Sequence, residues 1–159
     1  GKTVTKTEEE INTGFLKNLG TIEDEDQPSG FIYVLRSLSR KPEIQQFEHL
    51  YKVGFSSKSI AKRIANAKNE PTYLMAPVRS VAEYETFNLK PKRFEKLLHH
   101  FFAEVCLDLE VADNKGKMHK PREWFIVSLD VIDLAIKLII NKQIQHYLYD
   151  TTSKSIIVR

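Results

Sequence analysis

A chain of 159 residues, 42% hydrophobic and 28% charged, is long enough for one sizeable core and too ordinary in composition for a disordered, fibrous or disulfide-stapled protein. No apolar run reaches the roughly 18 residues a membrane span requires, and the lone Cys106 excludes an intramolecular disulfide, which fits a reducing, cytoplasmic setting. The net charge of +3 divides into an acidic leader, with three basic against seven acidic residues in 1–30, and a basic body with 21 against 14, which points to a polyanionic partner.

Residues 1–29 read as a leader with a short helix and a linker. Thr7 and Glu10 make a capping box, Ile11, Phe15, Leu16 and Leu19 line one helical face, and Gly20 ends it. The start carries no signal-peptide pattern. The main domain spans 30–142, and 143–159 form a C-terminal extension.

Phe31 to Leu38 is predicted as a strand, with Phe31, Tyr33 and Leu35 on one face and Ile32 and Val34 on the other. A polar loop, 39–48, leads to a second strand from Leu50 to Phe55, and the two most simply pair antiparallel. Lys52 then shares a face with Leu50 and Gly54. A helix follows from about Lys58 to Asn69, with Ile60, Arg63, Ile64 and Ala67 as its inner stripe. Pro77 to Phe87 is a third strand. Pro91 to Val105 is a helix whose stripe is Phe94, Leu97, Leu98, Phe101, Phe102 and Val105. Short strands at Leu107–Val111 and Glu123–Val127 flank a polar loop. An apolar helix runs from about Leu129 to Lys142, capped by Ser128. The runs HYLY and SIIV in the tail suit a hairpin or a partner contact. The fold class is α+β, a small antiparallel sheet of about three strands flanked by helices.

Four residues are out of place in a purely structural chain. Arg63 sits within an apolar stripe, Lys52 and Tyr33 within strands, and Glu95 one turn before His99 on the same helical face. A phenol, an amine, a guanidinium and a carboxylate suffice for phosphodiester hydrolysis: the carboxylate holds a divalent metal, the guanidinium neutralises charge growing on phosphorus, and the phenol or amine orients or deprotonates water. Each also has a plain structural role open to it, as a half-buried aromatic, a snorkelling lysine, an ion-paired arginine and a helix-start acid.

On these residues the chain resembles the GIY-YIG endonuclease superfamily. GFIY, Gly30 to Tyr33, stands for the first signature and YKVG, Tyr51 to Gly54, for the second. Arg63 follows on the next helix, Glu95 lies within FEKLLHHFF, and REWF, Arg122 to Phe125, is similar to the closing strand of a phage and bacterial branch. The likeness covers roughly residues 30–135. It departs at Lys52, where many members carry tyrosine; Tyr51 is one place earlier and therefore on the opposite face. The resemblance implies metal-dependent DNA cleavage in a single-metal site. Tyr33 and Lys52 share the activation of water, Arg63 stabilises the transition state, and Glu95 ligates magnesium, for which manganese can substitute. His99 takes a supporting role. Lys62, Lys117, His119, Lys120 and Arg122 are the implied DNA contacts, although the cluster from 115 to 122 reads equally well as a solvated loop. DNA is the implied partner, with no membrane role, and double-strand cleavage would call for a homodimer or sequential cuts. The rival readings are a nucleic-acid-binding module that has lost catalysis and a protein-interaction module.

Overall fold

The computed structural model describes residues 28–159, so the expected leader helix at Thr7–Gly20 lies outside the described residues. Four antiparallel strands form the central sheet in the order β3-β1-β2-β6: β1 (Pro28–Ser37), β2 (Tyr51–Ser56), β3 (Val78–Phe87) and β6 (Trp124–Phe125). Two short strands, β4 (Val111–Ala112) and β5 (Met118–His119), pair as a separate hairpin, and β7 (Tyr147–Asp150) pairs with β8 (Ser155–Val158) in the tail. The helices are α1 (Pro42–Gln45), α2 (Ile60–Ile64), α3 (Pro91–Phe101) and α4 (Leu129–Ile140).

The sheet is buried on both faces, and alternation along the strands decides what each face meets. Ile32 and Val34 of β1 and Tyr51 and Val53 of β2 face the main core, where Phe94, Leu98 and Phe102 meet Ile132, Ala135 and Ile136. Tyr33 and Leu35 face the other way, against Ile60, Ala67 and Tyr73. A third cluster, Ile44, Leu50, Leu74, Leu107 and Trp124, closes the β6 end. Ser128 caps α4, its hydroxyl accepting from the Val131 N–H at 3.4 Å.

The α+β class and the antiparallel pairing are as expected, with three differences. The sheet has a fourth strand, because Lys52 pairs with Trp124 and Tyr51 with Phe125. The helix expected to run to Asn69 stops at Ile64 and is followed by a 3-10 turn at Ala67–Asn69. There the Asn69 side-chain amide donates to Asn66 Oδ1 at 2.8 Å, a local bond that competes with continued helix. The polar loop at 112–122 contains the β4–β5 hairpin. Its turn is held by Asp113, whose carboxylate accepts from the Lys115 and Lys117 N–H groups at 2.8 and 2.9 Å.

Two glycines are required by close approach. Gly30 has φ +133°, and a Cβ there would lie 2.6 Å from the Ser56 carbonyl oxygen. Gly54 stands directly across from Tyr33. A Cβ on Gly54 would lie 2.5 Å from Tyr33 Cζ, so the tyrosine ring occupies the space that a side chain would need.

Candidate active site

The register brings Tyr33 and Lys52 to one face. Tyr33 pairs with Gly54 and Leu35 with Lys52, and residues two apart on a strand point the same way. Tyr51 lies on the opposite face, buried among Ile32, Val34 and Val53. The expected one-residue distinction between Tyr51 and Lys52 is therefore what the backbone delivers.

Lys52 is 1% exposed, the most deeply buried charge in the central sheet. Its ammonium donates to Glu123 Oε2 at 2.5 Å and sits 5.6 Å above the centre of the Tyr73 ring. A buried ammonium is tolerated only with such a counter-charge. Glu123 keeps 42% of its side chain in solvent, so the pair links the floor of the site to its mouth.

Arg63 lies at the end of α2 and is exposed, not buried within the apolar stripe as its spacing suggests, because the helix ends one residue later. Its guanidinium donates to the Tyr33 hydroxyl. That bond, and next the Tyr73 ring oxygen, hold Arg63 above its already high ordinary value. A guanidinium has five N–H donors, so several remain for a ligand. Tyr73 stands in the 3-10 turn Pro71–Tyr73, fully buried, its hydroxyl donating to the Arg63 carbonyl at 3.5 Å and lying within reach of the Tyr33 hydroxyl. Burial first, and then Tyr33, push its phenol well above the usual range.

Glu95 projects from the second turn of α3, half-buried. Burial raises its carboxyl, the Glu123 carboxylate raises it further, and Lys52 and Arg63 pull it down. Glu95 thus lies in the field of all three. Tyr33, Lys52, Arg63, Tyr73, Glu95 and Glu123 form one constellation built from β1, β2, α2, the 71–73 turn, α3 and the start of β6. His99, a turn after Glu95, is exposed and stacks edge-on against Phe125 at 6.2 Å between ring centres. Among the proposed nucleic-acid contacts, Lys62 and Lys117 are exposed. His119 is taken up by Asp113 at 2.7 Å and Lys120 by Asp108 at 2.8 Å. The Arg122 carbonyl accepts from the Cys106 thiol at 3.0 Å.

Sequence reasoning missed Tyr73 and Glu123. Glu123 was within reach, since it precedes the Trp124 of a strand that must close against Lys52. Tyr73 carried no pattern, because a 3-10 turn after Pro71 has no periodicity to read.

The T5orf172 domain matches residues 30–140. The chain belongs to the T5orf172 domain family. That match replaces the GIY-YIG assignment drawn from GFIY, YKVG, Arg63, Glu95 and REWF in that order: all of them fall inside the T5orf172 match, and the recognised family is this one. Short strings and single residues at loose spacing carry too little information to fix a family on their own. T5orf172 domains are associated with endonuclease-like proteins. The chain is also 39% identical over 150 residues to the uncharacterized protein YeeC of Bacillus subtilis (strain 168). That alignment covers 94% of this chain and 37% of YeeC, so the chain spans well under half the length of this relative. No solved structure matches. Among the described residues, no helix is long and apolar enough to cross a membrane.

Proposed function

We propose that this T5orf172 domain is a phosphodiester hydrolase acting on DNA, with its centre at Tyr33, Arg63, Glu95 and the Lys52–Glu123 pair. What supports this reading is the coupling of Glu95 to Glu123, Lys52 and Arg63, together with the Lys52–Glu123 ion pair and the bond of Arg63 to Tyr33. Two cations and two carboxylates around a phenol are what in-line attack on a phosphate diester needs. The basic body supplies attraction for the polymer.

Each residue has a chemical task. Arg63, anchored by Tyr33 and facing solvent, meets the phosphate oxygens and neutralises the charge that grows on them. Lys52 holds Glu123 in place and contributes a fixed positive field from beneath. Tyr73 fixes the Tyr33 hydroxyl, which orients or deprotonates the attacking water. Glu123 is the carboxylate nearest to solvent and a second candidate for that proton.

The donor set suits a hydrated hard cation. Among the described residues no group of three or more histidine, cysteine, aspartate or glutamate side chains could hold a metal. Glu95 and Glu123 do form a carboxylate pair whose mutual repulsion is already felt at Glu95. Magnesium is commonly held by one or two carboxylates, substrate phosphate and retained water. Glu95 and Glu123 would hold it, and it would supply charge stabilisation at the leaving oxygen.

Incubating the protein with supercoiled plasmid and magnesium tests the reading. Conversion to nicked circles is expected, with Glu95→Ala and Arg63→Ala each at least 100-fold slower, the scale on which removal of one transition-state contact acts. Intact plasmid with both magnesium and manganese, or a Glu95→Ala protein that nicks at the parental rate, would overturn it.

A further inference from the structure

The geometry points to a duplex-DNA backbone track made by two loops that are pinned to each other beside Arg63: the segment from Lys62 to Asn69 and the β4–β5 hairpin. It rests on the reading of the protein as acting on DNA, and it names the surface that would hold the duplex.

The two loops come from distant parts of the chain, yet the Asn114 side-chain amide donates to Asn69 Oδ1 at 3.3 Å and joins the hairpin tip to the 3-10 turn behind Arg63. Each loop is internally braced. Asn66 and Asn69 bond one another on one side. On the other, the Asp113 carboxylate accepts from two hairpin N–H groups and pairs with His119. Short loops braced in this way hold their side chains at a fixed spacing, so less entropy is lost when a ligand is bound.

The charge on these loops is available. Lys62 and Lys68 on the first, and Lys115 and Lys117 on the second, are exposed, and among the described residues none has an ion-pair partner. Of the acids on and beside the hairpin, Asp113 is engaged by His119 and Asp108 by Lys120, while Glu110 is exposed. Lys62 adjoins Arg63 in sequence and Glu123 follows the hairpin by four residues, so both loops lead directly into residues of the constellation. Gly116 at the tip has φ +81° with open space around it, and Met118 is 53% exposed. The track presents four exposed lysine ammonium groups, which meet phosphate as point charges. It therefore grips phosphate without reading sequence, and bound phosphates on either side of the scissile one would lie against the four lysines.

Fluorescence anisotropy with a 30-base-pair duplex, in EDTA so that cleavage plays no part, gives the slope of log K against log salt. A protein with Lys62, Lys68, Lys115 and Lys117 all changed to alanine is expected to lose about three to four units of slope, at about 0.9 per phosphate contact. A charge-matched control, Lys90, Arg93, Lys142 and Lys154 to alanine, is expected to lose less than one. Should the quadruple variant melt at a lower temperature, the single changes Lys68→Ala and Lys115→Ala are read in its place, each expected to lose about one unit. Equal losses in the two quadruple variants, an unchanged slope in the first, or no duplex binding by the parent protein would overturn the proposal. Because binding is read without cleavage, a protein that grips DNA on these loops but never nicks it would sink only the hydrolase reading.

Discussion

Tyr33 and Gly54 face each other across the β1–β2 pair, and the tyrosine ring lies over the glycine where any side chain would have to go. Gly54→Ala is therefore a probe of the site rather than of the backbone. The added methyl would lie 2.5 Å from Tyr33 Cζ, so the ring must move off Arg63 and Tyr73. Overpacking of this kind costs about 1–3 kcal/mol, and a misplacement of about 1 Å at a reacting group costs on the order of 100-fold in rate. Thermal melting should fall modestly while plasmid nicking falls by about 100-fold. An alanine variant that nicks normally would mean that Tyr33 is only a packing residue.

The Lys52–Glu123 pair should respond asymmetrically to mutation. Lys52→Met removes a buried cation, replaces it with a side chain of similar length and leaves behind a glutamate that is already 42% in solvent. Stability should change by about 1 kcal/mol or less, since buried ion pairs exchanged for apolar groups are often neutral. Glu123→Gln strands the ammonium at 1% exposure and should cost about 2–3 kcal/mol, somewhat less than a fully buried pair because Glu95 remains within its field. Urea denaturation of the two variants and of the double variant decides it. Equal losses from both single changes would show that solvent reaches Lys52 more freely than its burial indicates.

How much of this was legible from residues alone can be traced position by position. Alternation put Tyr51 and Lys52 on opposite faces of β2, since successive residues of a strand point opposite ways, but only the register of the β1–β2 pair put Lys52 on the face of Tyr33 and Tyr51 in the core. The Phe94 stripe of α3 was equally plain, and so was the acid beside it. Arg63 was read as sharing a buried stripe, because helical spacing says nothing of where an asparagine pair will turn the chain out of the helix. Glu123 and Tyr73 escaped for a common reason. Their roles arise from pairing across 71 residues in one case and from a turn without periodicity in the other, and neither is local. The family was misread because three short strings and two single residues, Arg63 and Glu95, were given the weight of a whole domain, and the T5orf172 match over 30–140 corrects it.

Tyr73→Phe should separate positioning from binding. The ring stays, so the contact beneath it with the Lys52 ammonium and the packing against Ile60 and Ala67 survive. What is lost is the hydroxyl that donates to the Arg63 carbonyl and lies against the Tyr33 hydroxyl. Melting should shift by no more than about 1 kcal/mol, the scale of one net hydrogen bond. Nicking should slow by about 10- to 100-fold at unchanged duplex affinity in EDTA. A variant whose duplex affinity falls together with its nicking, or that nicks at the parental rate, would assign Tyr73 to scaffolding alone.

The last prediction concerns alkaline stability and lies away from the site. Tyr84 is fully buried, and its hydroxyl donates to Asp133 Oδ1 at 2.9 Å, with Lys137 pairing the other carboxylate oxygen at 3.0 Å. Burial first, and Asp133 second, raise its phenol far above the ordinary tyrosine value of about 10. The sign follows: below pH 10 folded and unfolded chains are both protonated here and this contribution to stability is fully present. Above pH 10 the unfolded tyrosine ionises while the folded one cannot, so stability is lost as pH rises. Tyr84→Phe removes that proton linkage, and the stability–pH slope above pH 10 should become shallower by about one proton, or about 1.4 kcal/mol per pH unit. At neutral pH the same change costs about 1–2 kcal/mol for the hydrogen bond to a charged group, Asp133 keeping its bond to Lys137. Urea titrations at intervals from pH 8 to pH 11 measure both effects. A parallel pair of curves for the parent and Tyr84→Phe proteins above pH 10 would show that Tyr84 reaches solvent before the chain unfolds.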